Sequence, residues 1–239
     1  MLQARTTALT GLAMMAFAGN SLLCRYALKH TAIDPGSFTL IRLLAGAAVL
    51  CLIVRLRKPS RGGAGDWPSA LALFAYAAGF SFAYTSLPAA TGALLLFGAV
   101  QVTMVGHGLW RGERMRGWQV VGFMLAFAGL VGLLLPGLSA PPLEGALLML
   151  GAGIAWGVYS LRGRGAGDGT GVTAGNFLRT LPIALVLVPW LSRHLSLDGV
   201  GVWCAIASGA LASGVGYAIW YAALPSLRAT TAAAVQLSV

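Results

Sequence analysis

Residues 37–56 read SFTLIRLLAGAAVLCLIVRL, a run of twenty residues in which only Arg42 and Arg55 are charged. A helix of about twenty apolar residues crosses the hydrocarbon core of a bilayer, which is about 30 Å thick. The small residues inside the run allow neighbouring membrane helices to approach closely. The stretch therefore predicts a transmembrane helix, and similar stretches recur along the chain.

The whole chain has the composition of a membrane protein. Its 239 residues are 58% hydrophobic and 9% charged, and the mean hydropathy is +0.81. A soluble domain carries about 25% charged residues, so a water-facing surface is excluded for most of this chain. Cys24, Cys51 and Cys204 are scattered in or beside apolar blocks without disulfide or metal-like spacing, and we interpret them as packing residues.

Eight apolar blocks predict eight full transmembrane helices, and a ninth helix is expected to begin near Ala229. Short connectors rich in Pro and Gly separate the blocks. The predicted spans are Ala8–Leu28, Ser37–Leu56, Trp67–Leu87, Thr91–Arg111, Gly117–Leu135, Leu143–Leu161, Thr173–Leu191 and Val200–Leu224. The predicted fold class is an all-α polytopic membrane protein.

The formal net charge of +10 comes mainly from Lys and Arg in the connectors. A nucleic-acid-binding protein would gather these residues on one face, so no nucleic-acid partner is expected. If the N-terminus is cytoplasmic, eleven basic residues lie inside and three lie outside. The positive-inside rule therefore predicts a cytoplasmic N-terminus in the inner (plasma) membrane.

The chain also resembles itself at an offset of 137 residues. The aligned pairs are Arg25 with Arg162, Arg42 with Arg179, Gly79 with Gly216, Tyr84 with Tyr221, and Leu87-Pro88 with Leu224-Pro225. Each unit, 1–136 and 137–239, belongs to a five-helix pattern, and an odd number of helices inverts the second unit. This repeat predicts a fold of ten helices. The given sequence is expected to stop within the ninth helix, about 33 residues before the second unit would be complete.

Three stretches carry a resemblance to a known family. Residues 84–104 read YTSLPAATGALLLFGAVQVTM, residues 110–122 read WRGERMRGWQVVG, and residues 40–46 read LIRLLAG. They are similar to the EamA-like branch of the drug/metabolite transporter superfamily. The resemblance implies ten helices in two five-helix units and export of amino acids, other metabolites or drug-like compounds. Many family members carry a proline in the fourth span, where this chain has Gln101 and its neighbours.

Polar side chains inside the predicted spans are candidates for a substrate site, because hydrocarbon makes them costly. Arg42 can hold a carboxylate in a fork geometry, or it can reach the interface or fill a structural role that Arg179 shares. Asn20 and Gln101 can contact substrate groups or bond helix to helix. The aromatic candidates, which also suit an interfacial belt, are Tyr76, Tyr84, Trp156, Tyr217 and Tyr221.

No acidic residue lies deep in a predicted span, and Glu113, in the connector after the fourth span, is expected to form a local salt bridge or a helix-start contact. A carboxylate proton relay at the membrane midplane is therefore not predicted, and facilitated diffusion, or coupling through a residue in the expected missing part, fits better. The sequence has no Gly-x-Ser-x-Gly motif, no paired aspartates and no His cluster, so we expect no enzyme, cofactor or metal site.

Together these patterns predict a secondary transporter or exporter of small metabolites, such as amino acids, that works by alternating access. Its partners would be the small-molecule substrate and the lipid bilayer, and a homodimer is compatible with the sequence. The alternative is a non-transporting membrane scaffold or an inactive transporter fragment.

Overall fold

The computed structural model describes residues 2–57, 65–114, 117–134, 140–164, 167–191 and 195–239, and the regular elements within these ranges are all helical. The α-helices are α1 (Leu2–His30), α2 (Pro35–Leu56), α3 (Trp67–Ala83), α4 (Ala89–Trp110), α5 (Gly117–Leu134), α6 (Leu143–Gly163), α7 (Gly169–Leu191), α8 (Gly199–Ala207), α9 (Gly216–Ala223) and α10 (Ala229–Gln236). A π-helical segment, Ser208–Val215, joins α8 to α9 without a break, and a short 3-10 turn, Leu224–Ser226, follows α9.

Each predicted span coincides with helix in the structure. Six helical stretches are long and apolar enough to cross a membrane, and α3 is shorter at 17 residues. The all-α, multi-pass fold class is therefore confirmed. The third span ends at Ala83 rather than at the predicted Leu87, because the chain turns there and Leu87 N–H bonds back to Ala83 O before Pro88 opens α4.

The acidic residues in the connectors act as helix caps. A carboxylate that accepts hydrogen bonds from the first-turn N–H groups satisfies donors that have no partner within the helix. The caps of α2, α3, α7 and α8 are Asp34, Asp66, Asp168 and Asp198. Because a cap lies at the start of its helix, these four carboxylates are found at the ends of the bundle rather than inside the spans.

Small residues let the first and second halves of the chain (1–136 and 137–239) interlock. The most extensive packing joins α3 and α4 to α6, and α2 to α7 and the π segment. A methyl group added to Gly209 would collide with the carbonyl oxygen of Arg42, and one added to Gly46 would collide with the Phe177 ring. The core of the molecule thus lies where the two halves meet.

Contacts between the connectors mark two ends of the bundle. Arg57 of the α2–α3 connector donates to Thr170 at the start of α7 (3.0 Å). At the other end of the bundle, Ser196 before α8 donates its N–H to Asp34 before α2 (2.8 Å). We call the first end the N-terminal side, because α1 begins there, and the second end the opposite side.

Candidate functional site

A buried group of polar and aromatic side chains fills the centre of the bundle. We call it the central cluster. Its side chains come from both halves of the chain and from seven elements, namely α1, α2, α3, α6, the π segment, α9 and α10. Its members are Phe17, Asn20, Arg42, Tyr76, Phe80, Trp156, Ser208, Tyr217 and Gln236, all of them less than 9% exposed.

Asn20 connects three elements within this cluster. Its Nδ2 donates to Tyr76 Oη at 3.2 Å, and its Oδ1 accepts from Ser208 Oγ at 2.5 Å. The two partners belong to α3 in the first half and to the π segment in the second half. The buried amide is therefore hydrogen-bonded on both sides, as a polar group away from water must be.

Trp156 is the centre of the aromatic part of the cluster. Its ring centroid lies 5.0 Å from that of Tyr76, 4.8 Å from that of Tyr217 and 5.5 Å from that of Phe17. These distances are typical of favourable aromatic pairs. The indole N–H donates to Gln236 Oε1 at 2.7 Å, which connects α6 to α10.

Arg42 is 1% exposed and stacks on aromatic rings. Its Cζ atom lies 5.4 Å from the Tyr76 ring centroid and 5.1 Å from that of Phe80. Its Nη1 is buried and has no hydrogen-bond acceptor among the described residues. Arg179, which aligns with Arg42 in the sequence at an offset of 137 residues, is partly exposed and donates to Gly175 O at 3.1 Å. The two arginines therefore occupy different environments.

The space inside the cluster is small in this conformation. A cavity of about 10 Å³ is lined by Phe17, Asn20, Ser21, Tyr76, Phe80, Leu96, Phe97 and Trp156. That volume accommodates about one water molecule. An organic solute would enter only after the surrounding helices had moved apart.

The structure brings together five of the residues that the sequence suggested as substrate contacts: Asn20, Arg42, Tyr76, Trp156 and Tyr217. The other three lie elsewhere. Tyr84 Oη donates to Ala89 O at the α3–α4 turn (3.2 Å), and Tyr221 Oη donates to Tyr159 O near the end of α6 (3.4 Å). Gln101 lines a separate, mainly apolar groove of about 600 Å³ between α4, α5 and α10.

Four members of the central cluster were missed by the sequence reasoning: the apolar Phe17 and Phe80, and the polar Ser208 and Gln236. Gln236 carried a signal, since it is a long polar residue at the end of the apolar run 232–235, inside the expected ninth helix. Ser208 carried none, because serine is common in membrane helices and its position depends on the π segment.

Comparison with known proteins identifies the chain's relatives. The EamA-like transporter family matches residues 6–135 and 143–239. The chain belongs to this family. Uncharacterized protein PA1977 of Pseudomonas aeruginosa is 60% identical to the chain over 239 residues, which cover 98% of this chain and 82% of that protein. The family confirms a multi-pass membrane protein of the drug/metabolite transporter type.

The fold of this EamA-like protein is also found among solved structures. A crystal structure described only as that of a protein superposes with a TM-score of 0.68 at 20% sequence identity. The match covers 98% of this chain and 86% of that chain. At this level of identity the likeness concerns the fold alone.

Ionic contacts close the N-terminal side of the EamA-like protein. Arg162 Nη2 lies 2.8 Å from Asp66 Oδ1, and Arg162 Nε donates to Ser69 Oγ at 2.8 Å. Partial burial raises the pKa of Asp66, but the hydrogen bonds from Ser69 and Arg162 outweigh it and bring the pKa below its ordinary value. The pair joins α3 of the first half to α6 of the second half.

A second ionic contact lies on the same side. Glu113 accepts N–H bonds from Ala229 (3.3 Å) and Thr230 (3.4 Å), and Arg164 Nη1 lies 3.4 Å from its carboxylate. Burial raises the pKa of Glu113, but the bonds from Thr230, Ala229 and Arg164 lower it below its ordinary value. Glu113 therefore makes the helix-start contact suggested by the sequence, with α10 as the helix.

The opposite side is connected differently. Asp34 and Ser196 exchange two hydrogen bonds, from Ser196 N–H to Asp34 Oδ2 (2.8 Å) and from Asp34 N–H to Ser196 O (3.2 Å). Arg25 Nη1 donates to Tyr84 O at 2.7 Å within the first half. Among the described residues, the ion pairs between the two halves thus lie on the N-terminal side.

Proposed function

We propose that this EamA-like protein is a secondary transporter that exports small metabolites, amino acids or related compounds, across the inner membrane by alternating access. The observation that carries the proposal is the position of Asn20. This buried amide bonds to Tyr76 in the first half and to Ser208 in the second half. Relative movement of the halves would break these bonds and free polar groups that can bind a solute.

The proposal includes an inverted repeat of two five-helix units with the N-terminus in the cytoplasm. The family matches two separate segments, one in each half, which supports the repeat. Arg25 and Arg162, which align at the offset of 137 residues, lie at opposite sides of the bundle, where they donate to Tyr84 O and Asp66 Oδ1. Opposite placement of aligned residues is what an inverted repeat predicts.

In this mechanism, the ion pairs on the N-terminal side form a gate. Asp66–Arg162 and Glu113–Arg164 each join the two halves, so both must separate when the cluster opens toward that side. Opening toward the opposite side requires loss of the two bonds between Asp34 and Ser196. The closed cluster between these two gates then corresponds to a state between the two open ones.

The test is transport by purified protein in liposomes. We would measure uptake and counterflow of a labelled panel of amino acids and other metabolites, with wild type, Asn20→Ala and, as the control, Thr85→Ala. Thr85 lies exposed in the α3–α4 turn. Asn20→Ala removes one hydrogen bond from each of two buried hydroxyls, Tyr76 Oη and Ser208 Oγ. We therefore expect its saturable flux to fall about tenfold or more, while Thr85→Ala retains the wild-type flux.

Two outcomes count against the proposal. Absence of flux for every solute, with folded protein in the membrane, would contradict transport by this chain. Wild-type flux in Asn20→Ala would place the substrate site away from the central cluster.

A further inference from the structure

Among the described residues, no carboxylate forms an ion pair with Arg42. The side chain is 1% exposed, and its guanidinium lies over the faces of Tyr76 and Phe80. Neither ion pair of the described residues includes it. A buried cation without a partner is expensive in a membrane, and such residues usually face a functional cavity.

The chain's six carboxylates lie away from Arg42. Asp34, Asp168 and Asp198 cap helices, Asp66 and Glu113 are paired with arginines at the N-terminal side, and Glu144 is exposed in the first turn of α6. Asp34 lies eight residues before Arg42, about 12 Å along α2. No carboxylate of the described residues pairs with Nη1, which leaves its acceptor to be supplied by a bound solute.

The position of Arg42 connects it to the site of the proposed transport. The two rings that cover its guanidinium, Tyr76 and Phe80, also line the central cavity together with Asn20. An incoming solute that displaced these rings would reach the unpartnered Nη1 directly. A carboxylate suits this position, because its two oxygens match the fork of a guanidinium.

We propose that Arg42 binds the carboxylate group of the transported solute, so that the substrates are organic carboxylates, including zwitterionic amino acids, and not simple cations or neutral compounds. This inference rests on the proposed transport function. The proposal gives this role to Arg42 and not to Arg179, because the guanidinium of Arg179 already donates to a backbone carbonyl of α7.

The experiment compares pairs of solutes that differ in one group, a carboxylate or the corresponding amide. The unfolding temperature of the purified full chain in detergent would be measured with paired ligands: acetate and acetamide, benzoate and benzamide, leucine and leucinamide, phenylalanine and phenylalaninamide. We expect stabilisation by at least one carboxylate, with binding at least about tenfold tighter than that of its amide, because hydrogen bonds between charged groups are stronger than neutral ones.

Variants then assign the preference to one side chain. Arg42→Gln should remove it, Arg42→Lys should keep part of it because the charge remains without the fork, and Arg179→Gln should leave it unchanged. Equal binding of amides and carboxylates, binding of amides alone, or no stabilisation by any carboxylate would overturn the inference. So would an undiminished preference in folded Arg42→Gln, and if that variant does not fold, the wild-type comparison of the pairs decides.

The inference and the proposed function can fail separately. Saturable liposome flux of amides or amines, with no flux of carboxylates, would overturn the role of Arg42 in substrate choice and leave transport intact. Absence of all flux would count against transport, while the binding measurement would still decide the carboxylate preference.

Discussion

The contact between Glu113 and the start of α10 leads to a quantitative prediction. Ala229 and Thr230 donate their N–H groups to this carboxylate, and the residue that precedes the helix, Arg228, makes no capping bond with its side chain. Glu113 thus acts as the N-cap of a helix that lies 116 residues further along the chain. Its replacement by alanine would leave the first turn of α10 without these acceptors.

The size of the effect follows from the geometry. Loss of an N-cap costs about 0.5–2 kcal/mol. Both N–H bonds are long, at 3.3 and 3.4 Å, and the pair with Arg164 is partly exposed, which adds about 0.2–1 kcal/mol. We therefore expect Glu113→Ala to lower the free energy of local opening of α10 by about 1–2 kcal/mol, which accelerates hydrogen exchange about five- to thirtyfold.

Hydrogen exchange followed by mass spectrometry would measure this in nanodiscs, on peptides that cover residues 229–239. Glu144→Ala is the matched control, because Glu144 is exposed in the first turn of α6 and receives no side-chain bond among the described residues. The capping argument is refuted if exchange in α10 is unchanged in Glu113→Ala, or if the control accelerates it equally.

Three further outcomes are expected. Trp156→Phe removes a buried hydrogen bond to α10 and should lower the free energy of unfolding by about 1–3 kcal/mol in denaturant titrations, while Trp203→Phe, at an exposed position, should have little effect. Gly209→Ala should lower the unfolding temperature strongly through collision with α2, whereas Gly151→Ala, which has open space around it, should not. The fold lowers the pKa of Asp66, so its ion pair stabilises the protein fully above the ordinary carboxyl pKa of about 4. This stabilisation is lost as the pH falls through the lowered pKa. The difference in unfolding free energy between wild type and Asp66→Asn should therefore vanish in acid.

The sequence predicted the helices well, because the length and apolarity of a span are local properties that the bilayer imposes. The prediction was less accurate where local geometry depends on packing. Helix α3 ends at Ala83, four residues before the predicted Leu87, and the span from Val200 contains a π segment that periodicity does not reveal.

For the candidate site, the cost of polar groups in hydrocarbon directed attention to Asn20 and Arg42, which the structure places in one cluster. That argument predicts how deep a polar residue lies in the membrane, but not toward which neighbouring helix its side chain points. Gln101 therefore looked equivalent to Asn20, although it lines another groove. Pairings such as that of Asp66 with Arg162, 96 residues away, depend on the assembled bundle and could not be read from spacing.

The π segment also determines which way its neighbours face. Ser208 and Tyr217 are nine residues apart, and in a regular α-helix with 3.6 residues per turn they would point about half a turn away from each other. Each π turn contains more residues than an α turn, so each residue rotates the chain less about the helix axis. Over these nine residues the smaller rotation brings both side chains to the central cluster. Deletion of one residue between positions 209 and 215 would act as a twist of the helix: one of the two side chains would stay at the cluster and the other would turn toward the outside of the bundle.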